Sequence, residues 1–340
     1  MICAALAAAA ASLPLSPSSA EAISDESRER RDIDFEVQKL WYTHDLDGLD
    51  RLAQEWRASR TRTSSGQWKL AQFYKKLEED IVVQSPLDFP SGKDWVVVDE
   101  WMQSHPTSPT PVILKALMLF KQAQSTYPTR LKRVFGVMPD AERQELLASA
   151  HLLLEQNEPF ASQDPEWYTA MLRVLRWQVT SDDELLLLHA EALQAHPLYD
   201  QTHFELFRYF VQRWYPNTKM IDAFANTVLA GTQDLEGNMA YALLYDDAAR
   251  SLDQGKLLSG WGENWPIAKS GFEKINEQYP TIWNANQFGF HACMARDVST
   301  ARRLFAEFVG PPVREVWPSS MIYEQCKAWA TQDASDEIPK

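Results

Sequence analysis

The chain has 340 residues, 45% of them hydrophobic, so it can bury a sizeable core as one elongated domain or two compact ones. Its 47 acidic residues outnumber its 33 lysines and arginines, which gives a formal net charge of -14. This charge argues against nucleic acid as a partner, because a phosphate-binding protein normally clusters Lys and Arg. The short basic runs at 28–31 (RERR) and 130–133 (RLKR) adjoin acidic residues, and we interpret them as solvated helix faces.

The N-terminus has the pattern of a secretory signal peptide. An apolar stretch from Ile2 to about Leu15 precedes small residues and a charged segment that starts at Asp25. Cleavage is predicted after Ala20 or Ala22. An uncleaved membrane anchor is less favoured, because the apolar run is shorter than the ~20 residues that a bilayer requires. We therefore expect a periplasmic or secreted protein without stable membrane insertion after signal cleavage.

Export determines how the cysteines are interpreted. Cys3 leaves with the signal peptide, and the rest of the chain holds Cys293 and Cys326. In an oxidising compartment these two residues predict one disulfide. Two buried free thiols are the alternative.

Helical periodicity dominates the chain, and no clear alternating strand pattern occurs. Apolar residues recur at three- and four-residue steps, for example at Leu46, Leu49, Leu52, Ala53 and Trp56. The one β-like run, Trp95 to Val98, directly precedes an acidic pair, and we interpret it as the start of a short helix. About fourteen helical segments are expected, separated by short joints. Several joints carry N-cap residues, namely Asp47, Asp140, Asp164, Asp182 and Asn217. The predicted fold class is all-α, an α/α helical-hairpin solenoid.

The stretch at 60–74 (RTRTSSGQWKLAQFY) combines arginines and hydroxyl residues with an apolar, aromatic segment. We interpret it as a joint between two helices, in which Ser64 and Ser65 cap the second helix. A free helix N-terminus near Arg60 and Arg62 leaves anion binding as the alternative.

The sequence contains no phosphate-binding glycine loop, nucleophile elbow, paired CxxC or HExxH motif, and no cofactor is expected. His189, His196 and His203 fall at seven-residue intervals, but Pro197 breaks the helix that would align them. We therefore predict no metal site.

One pair of acids could support glycan hydrolysis. Asp246 and Asp247 precede a tryptophan-containing connector, WGENW, that carries Glu263. In an α/α toroid such acids and tryptophans would lie on the loops around the opening of the toroid. Glycan hydrolases of this kind use two carboxylates. Adjacent helical residues point in different directions, however, so only one of the two aspartates can face a cleft.

A repeat of 33 residues occurs in the C-terminal third. Five residues recur at this spacing, and the paired positions are Ala268 and Ala301, Phe272 and Phe305, Ile275 and Phe308, Phe288 and Met321, and Cys293 and Cys326. A period of this length is typical of a two-helix repeat.

The segment around this repeat resembles tetratricopeptide-type repeats. Ala268 and Phe272 match the small and aromatic positions of a second helix, Pro280 matches the proline that ends it, and the next first helix spans 284–292. Junctions at Pro197 and Pro106 repeat the pattern more loosely and not at one period. The chain is also similar to an exported bacterial family of unknown function, in LDGLDRLAQEW, SGQWKLAQFY, GNMAYALLY and the ending at 301–330. That resemblance implies no catalytic residues.

These patterns predict a signal peptide at 1–22, an N-terminal helical region at 23–135, tetratricopeptide-like repeats at 136–332 and a polar tail at 333–340. The expected function is non-catalytic binding of an unidentified protein or peptide, or scaffolding, in the cell envelope. The alternative is an envelope glycan hydrolase. The candidate residues of a peptide-binding groove are Asn284, Asn286, Gln287, His291, His203 and Arg208.

Overall fold

The computed structural model describes residues 24–82, 92–124, 140–178, 180–214, 217–251, 264–307 and 312–332. Within these ranges the chain forms helices and no strand, and one isolated β-bridge pairs Arg62 with Trp68. The prediction of an all-α fold is confirmed. The signal peptide, the boundary at 135/136, the run at 130–133, Glu263 and the tail lie outside the described residues.

The described ranges of the first half of the chain contain eight helices. They are α1 (Asp25–Tyr42), α2 (Leu46–Ser59), α3 (Lys69–Val82), α4 (Gly92–Ser104), α5 (Pro109–Gln124), α6 (Asp140–Gln156), the short α7 (Glu158–Ala161) and α8 (Pro165–Trp177). Helix α4 begins just before the run Trp95 to Val98, so the interpretation of that run as helical is confirmed.

Eight more described helices follow. They are α9 (Asp182–Ala195), α10 (Asp200–Trp214), α11 (Thr218–Glu236), α12 (Met239–Ser251), α13 (Trp265–Gln278), α14 (Ile282–Met294), α15 (Val298–Glu307) and α16 (Ser320–Thr331).

Local capping chemistry sets where several of these helices begin. The predicted cap Asp164 accepts a hydrogen bond from the Glu166 backbone N–H at 2.9 Å, as expected for an N-cap. At α2 the cap is Asp45 and not Asp47, because the Asp45 carboxylate accepts from the Gly48 N–H at 2.8 Å. At α9 the cap is Ser181, which forms a capping box with Glu184.

Apolar side chains form two large buried clusters. The first extends from Ile33 to Tyr199, and the second from Leu172 to Ala330. Their ranges overlap at α8 and α9, where Leu175 and Leu188 pack against both clusters, so the two cores adjoin there. Most helices pack against helices one or two positions away in the chain, as in α1 against α3 and α8 against α10.

The beginning and end of this helical series also contact each other. The Ser27 hydroxyl donates to Glu315 Oε1 at 2.9 Å, and the Arg30 guanidinium lies 4.5 Å from the centroid of the Trp283 ring. The Asn284 amide donates to the Ser65 carbonyl at 3.1 Å. Helix α1 and the joint after α2 therefore pack against the C-terminal helices, and a cleft is enclosed between them.

The cysteines of the 33-residue repeat lie together. The Cα atoms of Cys293 in α14 and Cys326 in α16 are 6.0 Å apart, a usual separation for a disulfide. The prediction that these two residues pair is confirmed at the level of disulfide distance.

Candidate functional site

A cleft of about 520 Å³ lies between the N-terminal and C-terminal helices of the described residues. Its walls come from α1, the joint at 62–68, α3, α10, α12 and α14. A second hollow of about 280 Å³ shares Lys75, Gln201 and Arg208 with it and extends along α3 towards α8. The two form one continuous concave surface, and we call the larger hollow the central cleft.

Alternating charges connect the helices that surround this surface. Arg173 in α8 contacts Glu78 in α3 at 2.7 Å and Glu205 in α10 at 3.2 Å. Arg208 in α10 contacts Glu205 at 3.2 Å and Asp247 in α12 at 3.4 Å. Burial would raise the pKa of Glu205, but the neighbouring guanidinium groups hold it below its ordinary value. This ion network links four helices through groups that are largely removed from water.

The two adjacent aspartates of α12 have different surroundings. Asp246 is 2% exposed, and its carboxylate contacts Arg250, His291 at 3.0 Å and Gln287 at 2.8 Å. Although burial alone would raise it, Arg250 and His291 hold the pKa of Asp246 below its ordinary value. Asp247 lines the central cleft, and burial raises its pKa despite Arg208. The expectation that only one of the pair faces a cleft is confirmed, and that residue is Asp247.

The backbone and hydroxyl groups of the joint at 60–68 bind anions, but these anions are side-chain carboxylates of helix α1. The Ser65 N–H and the Thr63 and Ser64 hydroxyls donate to the Glu26 carboxylate at 2.7–3.0 Å. The Ser64 N–H donates to Glu29 at 2.7 Å. Helix α3 begins at Lys69, so the two serines hold α1 instead of capping α3 as we had expected. The joint is thus a structural junction between α1, α2 and α3.

The two arginines predicted as an anion site do not converge. Arg60 is exposed at the end of α2, in the left-handed backbone conformation with φ 53°. Arg62 lines the central cleft, and Asp200 and Glu236 lie 3.6 and 3.7 Å from its guanidinium. One guanidinium cannot fully neutralise two buried carboxylates, so burial, followed by the charge of Asp200, raises the pKa of Glu236 to about 8. The charge of Arg62 is therefore used to pair with carboxylates of the protein itself and not with an external anion.

Four of the predicted groove residues lie in the interior, which corrects their expected placement. They are Asn284, Asn286, His291 and His203, each at most 1% exposed. Asn286 accepts from the Trp317 indole N–H at 2.7 Å, and Asn284 donates to the Ser65 and Tyr279 carbonyls. Helix α14 packs against α13, α15 and α16, so its polar side chains are used to join elements.

Two predicted groove residues, Gln287 and Arg208, do line the central cleft. The prediction missed Arg31 of α1 and Gln72 and Lys75 of α3, which also line it. The run at 28–31 was interpreted as a solvated face, and Arg28 and Arg31 are indeed exposed, but Arg30 and Arg31 also line the cleft. The available signal was spacing: the cleft-lining positions of α1 recur at three- and four-residue steps (27, 30, 31 and 34).

The histidines at 189 and 203 form a buried pair. His203 Nε2 lies 2.9 Å from the Pro197 carbonyl oxygen and must donate to it, which leaves Nδ1 to accept from His189 Nε2 at 2.9 Å. Both rings are neutral in this arrangement. Burial lowers the pKa of His203 to about 4 and that of His189 well below its ordinary value.

This pair predicts loss of stability in acid. Between pH 6.5 and about 4 the unfolded chain binds a proton at His203 and the folded chain does not, so the free energy of unfolding falls as the pH falls. We expect His203→Gln to weaken this dependence by roughly 3 kcal/mol across the window. Urea unfolding of both proteins at pH 4.5 to 7.5 measures it. His44→Asn, at an exposed position, should retain the wild-type slope, and an unchanged slope in His203→Gln would refute the assignment.

Among the described residues, no group of three or more His, Cys, Asp and Glu side chains is arranged to hold a metal ion. No described helix combines the length and apolar character of a membrane span. Comparison with family models, with curated proteins and with solved structures gives no match to the chain. Function must therefore be inferred from the cleft itself.

Proposed function

We propose that this chain is a non-catalytic protein-binding protein of the bacterial cell envelope, which holds an extended segment of a partner protein in its central cleft. The observation that supports this function is the cleft, whose volume of about 520 Å³ lies within the usual range of ligand sites. It is enclosed by a series of helices, and concave surfaces of this origin suit extended peptides.

Further features support the finer parts of the proposal. Consecutive packing of the helices and the 33-residue spacing of Cys293 and Cys326 favour a tetratricopeptide-like helical-hairpin solenoid in the C-terminal part. A cysteine pair at disulfide distance favours an oxidising, periplasmic or secreted location. We also propose that the chain is related to the exported bacterial family of unknown function that its sequence resembles.

Two observations favour peptide binding over the glycan-hydrolase alternative: the contacts of the two aspartates and the burial of the tryptophan rings. Asp246 is saturated by internal partners, which leaves Asp247 as the cleft-facing member of the predicted pair. Trp68 and Trp283 line the cleft but are at most 5% exposed, and arginine guanidinium groups lie over both rings. Neither ring offers a free face on which a sugar could stack.

Site-specific photo-cross-linking in the native envelope tests this function. A benzophenone amino acid at Gln201, which lines the cleft, is expected to yield a protein adduct, detected as a mass shift and mapped by mass spectrometry. The same group at Gln54, exposed on α2, is the matched control and should yield none. Equal adducts at both positions, or adducts with carbohydrate alone at Gln201, would overturn the proposal.

A further inference from the structure

We propose that the segment held in the central cleft is an extended peptide carrying acidic side chains, which Arg31 and Lys75 recognise. This inference rests on the proposed function and specifies the chemistry of the partner. It follows from which groups of the cleft are already neutralised and which are left to a ligand.

Most cations of the cleft are paired internally. Arg30 contacts Glu26 at 2.5 Å, Arg62 lies between two carboxylates, and Arg208 contacts Glu205 at 3.2 Å. Arg250 is paired with Asp246. These four guanidinium groups belong to the ionic framework of the cleft and add little net charge to it.

Two cations remain. Arg31 is exposed in α1, lines the cleft, and forms no hydrogen bond or ion pair with any described residue. Lys75 lines the cleft from α3, and its nearest carboxylate, Glu79, is 3.9 Å away with both side chains about half exposed. Such an exposed pair contributes little, so a ligand carboxylate can displace it. The cleft thus presents two available positive charges in a chain of net charge -14.

Both cations lie on one wall. Helices α1 and α3 pack side by side, joined by Lys69 to Glu29 at 2.8 Å and by Gln72 to Asp34 at 2.5 Å. Arg31 lies between the two joined positions of α1, and Lys75 follows Gln72 by almost one turn of α3. A single extended ligand along this wall can therefore meet both charges.

Groups suited to a peptide main chain lie in the same cleft. The side-chain amides of Gln67 and Gln201 form no hydrogen bond with any described residue. Amides offer both donors and acceptors, as alternating peptide N–H and C=O groups require.

The remaining lining accounts for an apolar component and excludes a polyanion. Phe204, Met239, Leu243 and Ile275 are cleft residues that can contact apolar side chains of the segment. Asp34, Asp247 and Glu315 also line the cleft, so a ligand with a charge at every unit would be repelled. A peptide with spaced acidic and apolar residues satisfies both conditions.

Affinity selection tests this inference on the immobilised full chain, with a pool of random hexapeptides as the probe. We expect retained peptides to be enriched in aspartate and glutamate. A representative retained peptide should bind Arg31→Gln/Lys75→Gln roughly tenfold more weakly than wild type, as measured by fluorescence anisotropy. Lys39→Gln/Arg51→Gln removes the same charge at exposed positions outside the cleft and should bind as wild type does. Circular dichroism checks that both variants are folded.

The outcomes separate the two proposals. Peptides retained without acidic enrichment, or equally by the Arg31→Gln/Lys75→Gln variant, would overturn the acidic partner and leave peptide binding intact. Failure of the wild type to retain any peptide would count against both. Phosphatidylglycerol vesicles form a second arm, and binding to them that depends on Arg31 and Lys75, without peptide binding, would overturn the inference in favour of a lipid headgroup.

Discussion

Arg173→Met is expected to lower the free energy of unfolding by about 3–5 kcal/mol, because it removes the shared partner of three buried carboxylates. Glu78, Glu205 and Glu166 lie 2.7, 3.2 and 3.9 Å from the Arg173 guanidinium, and their side chains are 16%, 5% and 3% exposed. Because Glu166, with a pKa of about 8, is mostly neutral at pH 7, the loss comes mainly from Glu78 and Glu205, whose charges lose a cation in surroundings that solvate them poorly. Urea unfolding at pH 7 measures the loss.

The pH dependence of this variant gives a second readout. Burial already raises the pKa of Glu166 to about 8 with Arg173 present, and removing the cation raises carboxylate pKa values further. A carboxylate with a raised folded-state pKa loses stability as the pH rises, so the variant should be more destabilised at pH 8 than at pH 5. The matched control is Arg213→Met, whose pair with Asp182 is 54% and 26% exposed and should contribute less than about 1 kcal/mol. Equal losses in the two variants would refute a stabilising network.

Loss of the bridge between Cys293 and Cys326 is expected to cost about 3–4 kcal/mol in the oxidised protein. The two residues are 33 positions apart, and a cross-link over a loop of this size restricts the unfolded chain by that amount in the chain-entropy model. The paired substitution Cys293→Ser/Cys326→Ser, compared with wild type by urea unfolding without reductant, measures it.

Reduced wild-type protein is the control for the substitution itself. With reductant, the stability difference between the two proteins should shrink to the effect of replacing two side chains. A thiol count on denatured, oxidised protein that lacks residues 1–22, and with them Cys3, should find no free thiol, whereas two would show that the bridge does not form.

Helix formation could be predicted because its signals are local. The apolar stripe of α2, the cap Asp164 and the helical interpretation of Trp95 to Val98 depend on residues within one or two turns. The pairing of Cys293 with Cys326 was predicted from the number of cysteines and from the expectation of export. These parts of the structure require no knowledge of which helices meet.

The candidate site could not be predicted in the same way. Asn286 and His291 have the composition expected of a polar groove, yet they are buried because the segment around Trp317 and the Asp246 carboxylate pack against them. Conversely, Arg31 lies in a charged run that is typical of a solvated face. Whether a polar side chain faces solvent, a neighbour or a cleft depends on residues far away in sequence.

The joint at 60–68 has some features that its local sequence determines and others that only the tertiary packing determines. Its composition determines that a helix ends, the chain turns and an aromatic helix follows, since these depend on local backbone preference. That Glu26 occupies the joint's N–H and hydroxyl groups, and that Asp200 and Glu236 neutralise Arg62, was decided only when α1, α10 and α11 packed around it. Electrostatic partners are determined by the tertiary packing, and the same packing leaves Arg31 and Lys75 as the cations of the cleft that no buried carboxylate pairs with.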